Sequence, residues 1–468
     1  MNIIIIGAGK VGYTLAESLA NENKNVIIID KNAEALEKVE DNLDVMCIKG
    51  NGVIANTLLE AGIEEADLLI AVTGSDEVNM VCCLTAKKLG VTQTVARVRD
   101  PEYADELSLI KDQLGLDFII NPEYTAAEEI ASTLGFSTAI NVERFASGRV
   151  RMVELKVTGD FRIAGMKIKD TDKTASTSVL IGVIVRGNEV IVPNGNEVIR
   201  ENDIIYVIGK VSNIYNFCRQ YGKYPDKIKN VMIVGGGRIT YYLYKLLKDM
   251  NMNIKIIEID RERCVELSDM LPNALIINSD GTEEDVLLAE NIKRMEGFVA
   301  ATGMDEENIM SSLIAKRMGV KKIITKLSRT SYINIIGDMG LDTIISPKLI
   351  TTNQILKYAR GRALESLLKI VEGQIEILEF VVDESSTLIE KPLRKLDISD
   401  NTVIATIVRK KEVVVPHGND IIKKGDRIIV ITKEKNISNL KELEEAVIGG
   451  NQNELRNGIK KLGDIINM

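Results

Sequence analysis

Three glycines, Gly7, Gly9 and Gly12, form the pattern G-x-G-x-x-G directly after the apolar run at residues 3–6, and Asp30 closes the next apolar run, 23 positions after Gly7. That spacing suits one kind of chemistry. The first glycine permits a tight strand-to-helix turn, the second lets backbone N–H groups approach a pyrophosphate, and the third allows close helix–strand packing. The intervening Ala8, Lys10 and Val11 belong to the same loop and to the helix amino terminus, whose free N–H groups favour an anion. Asp30 can accept hydrogen bonds from ribose hydroxyls and would repel a 2′-phosphate, so NAD(H) or an adenine nucleotide is favoured over NADP. A tight turn without a ligand is the alternative.

Other residues fall on the same rim. Gly50-Asn51-Gly52 follows the third apolar run, at the carboxyl end of a strand where ligands of open α/β sheets gather; it reads as an adenosine contact or as a simple turn. Thr73 and Gly74 end the next strand and could line the pocket. Arg97 and Arg99 alternate on the fifth strand, so both would project to one face and reach phosphates, or pair with surface acids.

The whole constellation recurs 228 residues on, as Gly235 and Gly237 with Glu258 in the place of Asp30. Ser279-Asp280-Gly281, Thr302 with Gly303, and Lys326 with Ser328 follow in the same order. Thr240 replaces the third glycine, so here the helix stands off or the pocket narrows. The second site reads either as a binding site or as a degenerate structural copy.

These residues need a sheet to hold them. Short Ile/Val runs at 3–6, 26–29, 68–72, 95–98 and 118–120 alternate with helical stretches such as 9–21 and 33–39. Unbroken apolar strands between helices indicate a doubly wound, Rossmann-like parallel sheet covered on both faces. A second repeat follows each such segment: I-V-R-G-N-E-V-I-V-P-N-G-N at 184–196 against I-V-R-K-K-E-V-V-V-P-H-G-N at 407–419. Its runs at 152–157, 179–185, 190–192 and 204–208 lie between Gly/Asn/Pro turns, with a helix-like segment at each end, which predicts a small α+β domain. The expected order is α/β at 1–135, α+β at 140–222, α/β at 228–360 and α+β at 366–446. A tail at 447–468 follows, with Leu455, Ile459, Leu462 and Ile466 at helical spacing, either docked or partner-binding.

Composition narrows the function. In the 468 residues, Lys and Arg (59) are outnumbered by Asp and Glu (68), and the net charge of -9 disfavours a nucleic-acid partner. No apolar run approaches the roughly 18–20 residues that span a bilayer, and no basic leader precedes the first strand, so the chain is expected to be neither integral to a membrane nor secreted. The five cysteines form no C-x-x-C pair and fit a reduced cytosol. His417, the only histidine, reads as a turn residue, so no metal centre is expected. Nothing resembles a catalytic domain able to move a hydride and a proton, and a duplicated cradle suits binding better than turnover. A soluble NAD-dependent dehydrogenase is the rival reading.

The strings G-A-G-K-V-G, K-G-N-G, A-V-T-G-S-D-E-V-N-M, A-R-V-R-D-P-E-Y and V-P-N-G-N-E-V-I-R-E-N-D-I-I-Y-V-I-G, with the whole pattern repeated once, closely resemble the TrkA family. These are tandem RCK-N/RCK-C proteins (regulators of potassium conductance). The resemblance implies a cytoplasmic subunit on the inner face of a TrkH- or TrkG-like potassium-translocating membrane protein, gated by NAD(H) and by ATP versus ADP and assembled as a homotetrameric ring. It also implies that the helices after Asn121-Pro122 and Ser346-Pro347 cross over between RCK units, and it places the nucleotide on Gly7, Ala8, Gly9, Lys10, Val11, Gly12, Asp30, Lys31, Thr73 and Arg97. An RCK regulator of a different cation transporter is the related alternative.

Overall fold

The isoleucine run at the amino terminus becomes the centre of a sheet because its side chains are apolar on both faces: Ile3, Ile4 and Ile5 are at most 1% exposed. The computed structural model describes residues 1–103, 115–171, 178–222, 228–329, 331–341, 343–360, 364–396 and 398–447; the expected tail helix lies outside them. The first sheet holds β1 (Asn2–Ile6), β2 (Asn25–Asp30), β3 (Met46–Lys49), β4 (Leu68–Ala71), β5 (Gln93–Arg97) and β6 (Phe118–Ile120), all parallel, in the order β3-β2-β1-β4-β5-β6. The order reverses between β1 and β4, and open α/β sheets bind ligands at such a switch point.

An antiparallel sheet follows, made of β7 (Asn141–Phe145), β8 (Val150–Lys156), β9 (Val179–Arg186), β10 (Glu189–Ile191) and β11 (Ile204–Lys210), ordered β10-β9-β11-β8-β7. The third sheet repeats the first with β12 (Asn230–Val234), β13 (Asn253–Glu258), β14 (Ala274–Asn278), β15 (Gly297–Ala300), β16 (Lys322–Lys326) and β17 (Thr343–Ile345), in the order β14-β13-β12-β15-β16-β17. The fourth repeats the second with β18 (Leu364–Ile370), β19 (Ile375–Val381), β20 (Thr402–Arg409), β21 (Glu412–Val414) and β22 (Arg427–Thr432), in the order β18-β19-β22-β20-β21. The small domains differ from expectation at their start, which is a strand, β7 or β18. Their described helices, Val211–Gln220 and Leu440–Val447, come at the end.

The chain divides into two units, one with both parallel sheets and one with both antiparallel sheets. In the first unit the domains exchange helices. The helix Pro122–Leu134 starts at Asn121, whose side chain accepts from the Tyr124 N–H at 2.9 Å, with proline in its first turn. It lays Ala126, Ala127, Ile130 and Leu134 into one core with Ile239, Leu243 and Leu247 of the second domain's first helix, Arg238–Asp249. The two alanines allow close approach, and each fully buried Ile or Leu contributes about 1.5–3 kcal/mol. The return contact comes from the helix Pro347–Arg360, whose Tyr358 stacks on Phe118 of the first domain at 4.8 Å and 10°. Gln354 then donates to the Thr125 hydroxyl at 3.0 Å, tying the two crossover helices together. In the second unit, Phe145, Met152 and Tyr206 share one core with Ile377, Ile429 and Ile431.

The cysteines are packing residues. All five are free thiols. Burial pushes Cys47 up to about 11 and Cys82 up to about 12, and it also raises Cys83 and Cys264. Thiolates are the reactive species, so iodoacetamide at pH 8 is expected to leave these four unmodified in the folded chain and to alkylate all of them in denaturant, as read by intact mass.

Candidate functional site

Every backbone feature of the first glycine loop has a steric cause. Gly7 takes φ +109°, a left-handed conformation that a side chain would strain, and its N–H donates to Ile29 O at 2.8 Å. A Cβ on Gly12 would lie 1.8 Å from Gly7 O, so only glycine lets the helix Lys10–Asn21 start this close to β1. A Cβ on Gly9 would meet no protein atom within 4 Å, because Gly9 faces open space. That space is a cavity of about 370 Å³ whose lining includes Gly7, Gly9, Asp30, Lys31, Gly50, Asn51, Thr73 and Gly74. The structure therefore brings eight of the expected first-repeat residues to one pocket.

Asp30 sits at the end of β2 with one carboxylate oxygen accepting from the Ala8 N–H at 2.6 Å and the other from the Asn32 N–H at 2.9 Å. It fixes the glycine loop and still has lone pairs for a ligand hydroxyl. Asn51 accepts from the Val53 N–H at 3.3 Å, which is turn geometry at the pocket rim.

Four expected residues, Lys10, Val11, Arg97 and Arg99, lie elsewhere. β5 ends at Arg97, so the alternation assumed for Arg99 does not hold. The Arg99 guanidinium binds Asp76 at 3.0 Å and the Gly74 carbonyl, and the Arg99 N–H also goes to Asp76. Arg97, Lys10 and Val11 line a second cavity of about 470 Å³ between the two parallel-sheet domains. The two cavities share Gly9, Val72, Thr73 and Gly74. In the cleft, Arg97 stands 3.6 Å from Glu123, while Arg97 Nε and the other Glu123 oxygen are buried without a partner. Burial holds the Arg97 guanidinium below its ordinary range, against the pull of Glu123.

One determinant went unassigned in the sequence. Asn79 is fully buried; its carbonyl oxygen accepts from the Thr73 N–H at 2.8 Å and the Thr73 hydroxyl at 2.7 Å, and its amide donates to Arg97 O at 2.8 Å. It latches the end of β4 to the end of β5. Asn308 does the same for Thr302 and Lys326 at 2.8 and 3.1 Å. The shared N in the D-E-V-N and D-E-E-N repeats was the available signal.

The second loop is built differently. Gly235 keeps its left-handed turn at φ +100°, and Glu258 reproduces both carboxylate bonds, from the Gly236 N–H at 2.6 Å and the Asp260 N–H at 2.8 Å. Thr240 turns its hydroxyl onto Gly235 O at 2.6 Å, replacing the glycine contact with a hydrogen bond that needs more separation between loop and helix. Arg263 donates to Gly236 O at 2.8 Å. Asp280 is engaged by the Thr282 N–H and hydroxyl at 2.8 and 2.6 Å, so it caps its own turn. Gly237 and Arg238 face the cleft. Among the described residues no group of His, Cys, Asp and Glu could hold a metal ion, and no helix is long and apolar enough to cross a membrane.

The TrkA-N domain family matches residues 3–122 and 231–347, and the TrkA-C domain family matches 152–222 and 377–444. The Trk system potassium uptake protein TrkA homolog 1 of Methanosarcina mazei is 37% identical over 440 residues, covering 92% of this chain and 97% of that protein. TrkA of Halomonas elongata is 32% identical over 441 residues, covering 93% and 96%. Among solved structures, the GsuK channel bound to NAD superposes with a TM-score of 0.62 at 18% identity, covering 92% of this chain and 76% of that one, and the GsuK RCK domain with 0.62, covering 92% of each. That likeness concerns the fold. Two TrkA-N domains, each followed by a TrkA-C domain, with full-length relatives above 30% identity, make this chain a member of the TrkA family.

Proposed function

We propose that the chain is a regulatory subunit of a potassium uptake system that senses nucleotides, and that it catalyses no reaction. Its relatives are named as Trk potassium uptake proteins, and a channel of the same fold carries NAD. One observation carries the reading: the Asp30 pocket shares Gly9, Val72, Thr73 and Gly74 with the cleft between the two parallel-sheet domains. An adenosine held at Asp30 with its phosphates at Gly9 would bear on both domains. Ligands that differ beyond the first phosphates, NAD(H), ATP and ADP, would then favour different arrangements of the pair, each by no more than its difference in affinity for them.

In this reading the ligand-binding domains span 1–135 and 228–360 and the small domains 140–222 and 366–446. The chain acts as a homotetrameric ring on the cytoplasmic face of the membrane, against a TrkH- or TrkG-like partner. The second domain binds nucleotide weakly, because Thr240 puts a side chain between its helix and loop and Arg263 donates to the loop carbonyl of Gly236. Calorimetry of the full chain with NADH, ATP and ADP should show saturable binding to the first domain, and potassium flux through the reconstituted partner should respond to the same ligands. Absence of binding, or NADH consumption with a hydroxy or oxo acid, would contradict the proposal.

A further inference from the structure

The hairpins that open the two small domains have turns of equal length, but the charges beside those turns differ. In both, three consecutive turn residues take positive φ: Ala146, Ser147 and Gly148 in the first, Val371, Glu372 and Gly373 in the second. The pairs Phe145–Val150 and Ile370–Ile375 close the turns. One step inward the second hairpin sets Lys369 opposite Glu376, and the first sets Arg144 opposite Arg151. Residues directly opposite on paired strands share a face with Cβ atoms about 4.5–5.5 Å apart, where opposite charges stabilise and like charges destabilise. That face points away from the core that Phe145, Val150 and Met152 share with Ile375 and Ile377, because side chains alternate along a strand.

In the second hairpin a buried carboxylate answers the cations. Glu376 is 1% exposed, accepts two bonds from Arg360 at 2.7 and 2.9 Å and stands 3.8 Å from Lys369. In the first hairpin Arg151 takes the place of that carboxylate, and Gly135 takes the place of Arg360, each at the same distance from its proline, Pro122 or Pro347. The Nε of Arg151 is buried and has no hydrogen-bond partner. Burial holds the Arg151 guanidinium below its ordinary range and the field of Arg144 lowers it further; Tyr215 of the helix Val211–Gln220 acts in the other direction, and no described carboxylate does.

We propose that Arg144 and Arg151, with Tyr215 beside them, form a binding site for a small organic carboxylate, which takes the part that Glu376 plays in the second repeat. A planar carboxylate matches the arginine fork through two parallel N–H···O bonds. It gives the buried Nε an acceptor and removes the repulsion across the hairpin. The position is open to such a ligand, because β7 is the last strand of its sheet and Arg144 is exposed. The site needs no nucleotide and does not rest on the nucleotide-sensing reading.

The test titrates succinate and inorganic phosphate separately into the full chain by calorimetry at low ionic strength, with thermal unfolding to verify that each variant folds. Succinate should bind the wild type saturably. Arg151→Gln should weaken it by about 10- to 100-fold, the loss of one charged hydrogen bond. Arg144→Gln, at an exposed position where folding is little affected, should weaken it too. Arg151→Glu rebuilds the opposite-charge pair of the second hairpin, so it should abolish succinate binding while unfolding at no lower a temperature than the wild type. An arginine with a purely structural role would instead lower the unfolding temperature in both Arg151 variants and leave succinate affinity unchanged. Equal succinate affinity in the wild type and the folded variants would overturn the proposal, as would failure of the wild type to bind succinate. An Arg151-dependent response to phosphate and none to succinate would overturn the carboxylate assignment.

Discussion

Gly12→Ala is expected to destabilise the chain by about 1–3 kcal/mol and to weaken nucleotide binding by about 10- to 100-fold for each phosphate hydrogen bond lost. The added Cβ would stand 1.8 Å from Gly7 O and 2.9 Å from Gly7 C, both backbone atoms that no rotamer change can move aside. Either the helix Lys10–Asn21 lifts from β1 or the Gly7–Gly9 turn shifts towards the cavity. Both movements carry the loop N–H groups away from where a pyrophosphate would sit. The second repeat shows the relaxed outcome, because Thr240 occupies this position and holds Gly235 O through its hydroxyl. Gly12→Thr should accordingly recover part of the stability lost by alanine while leaving binding impaired. Thermal unfolding and NADH calorimetry measure the two effects separately. Wild-type affinity in Gly12→Ala would show that the ligand does not use this loop.

The architecture was largely legible because the signals were local. Isoleucine runs apolar on both faces specify buried parallel strands, and the repeats fix the element order wherever one copy is ambiguous. The misreadings arose where tertiary contacts decide. Residues 141–145, N-V-E-R-F, pair with β8 although Glu143 and Arg144 interrupt their apolar pattern, so the strand that opens each small domain was missed. Arg99 was placed by strand alternation, but the chain leaves the sheet after Arg97 because Asp76 takes the N–H groups of Arg99 and Asp100 at 2.7 and 2.9 Å. No pattern within residues 122–134 tells which domain they cover; that follows from the matching apolar stripe on Ile239, Leu243 and Leu247, far away in sequence. The first pocket was legible because the glycine spacing encodes backbone sterics directly. The cleft was not, because it exists only once the two repeats face each other.

Asp30→Ala is expected to weaken NADH and ATP binding by about 1–3 kcal/mol, through lost hydrogen bonds to the ribose and through release of the Ala8 N–H that the carboxylate holds at 2.6 Å. Alanine alone cannot separate these two causes, but the second repeat suggests a change that can. There a longer carboxylate, Glu258, makes the same two backbone bonds, and it does so beside Gly236, where a Cβ would meet Leu267 Cδ1 at 2.4 Å and also approach Glu258 Oε2 to 3.0 Å and Cγ to 3.2 Å. The first repeat pairs the shorter Asp30 with Ala8, so residue pairs 8/30 and 236/258 trade one methylene for one methyl. Asp30→Glu alone should crowd Ala8 and distort the loop, Ala8→Gly alone should be mild, and the double variant should regain much of the stability lost by Asp30→Glu. A double-mutant cycle on thermal unfolding should therefore give a coupling of at least about 0.5 kcal/mol favouring the double variant, since residues in direct contact depart from additivity by that amount or more. If stability returns in the double variant while nucleotide affinity stays low, the carboxylate position itself is what the ribose reads. If both return together, Asp30 acts through the loop, and additive effects would mean that the two side chains do not share the space the second repeat implies.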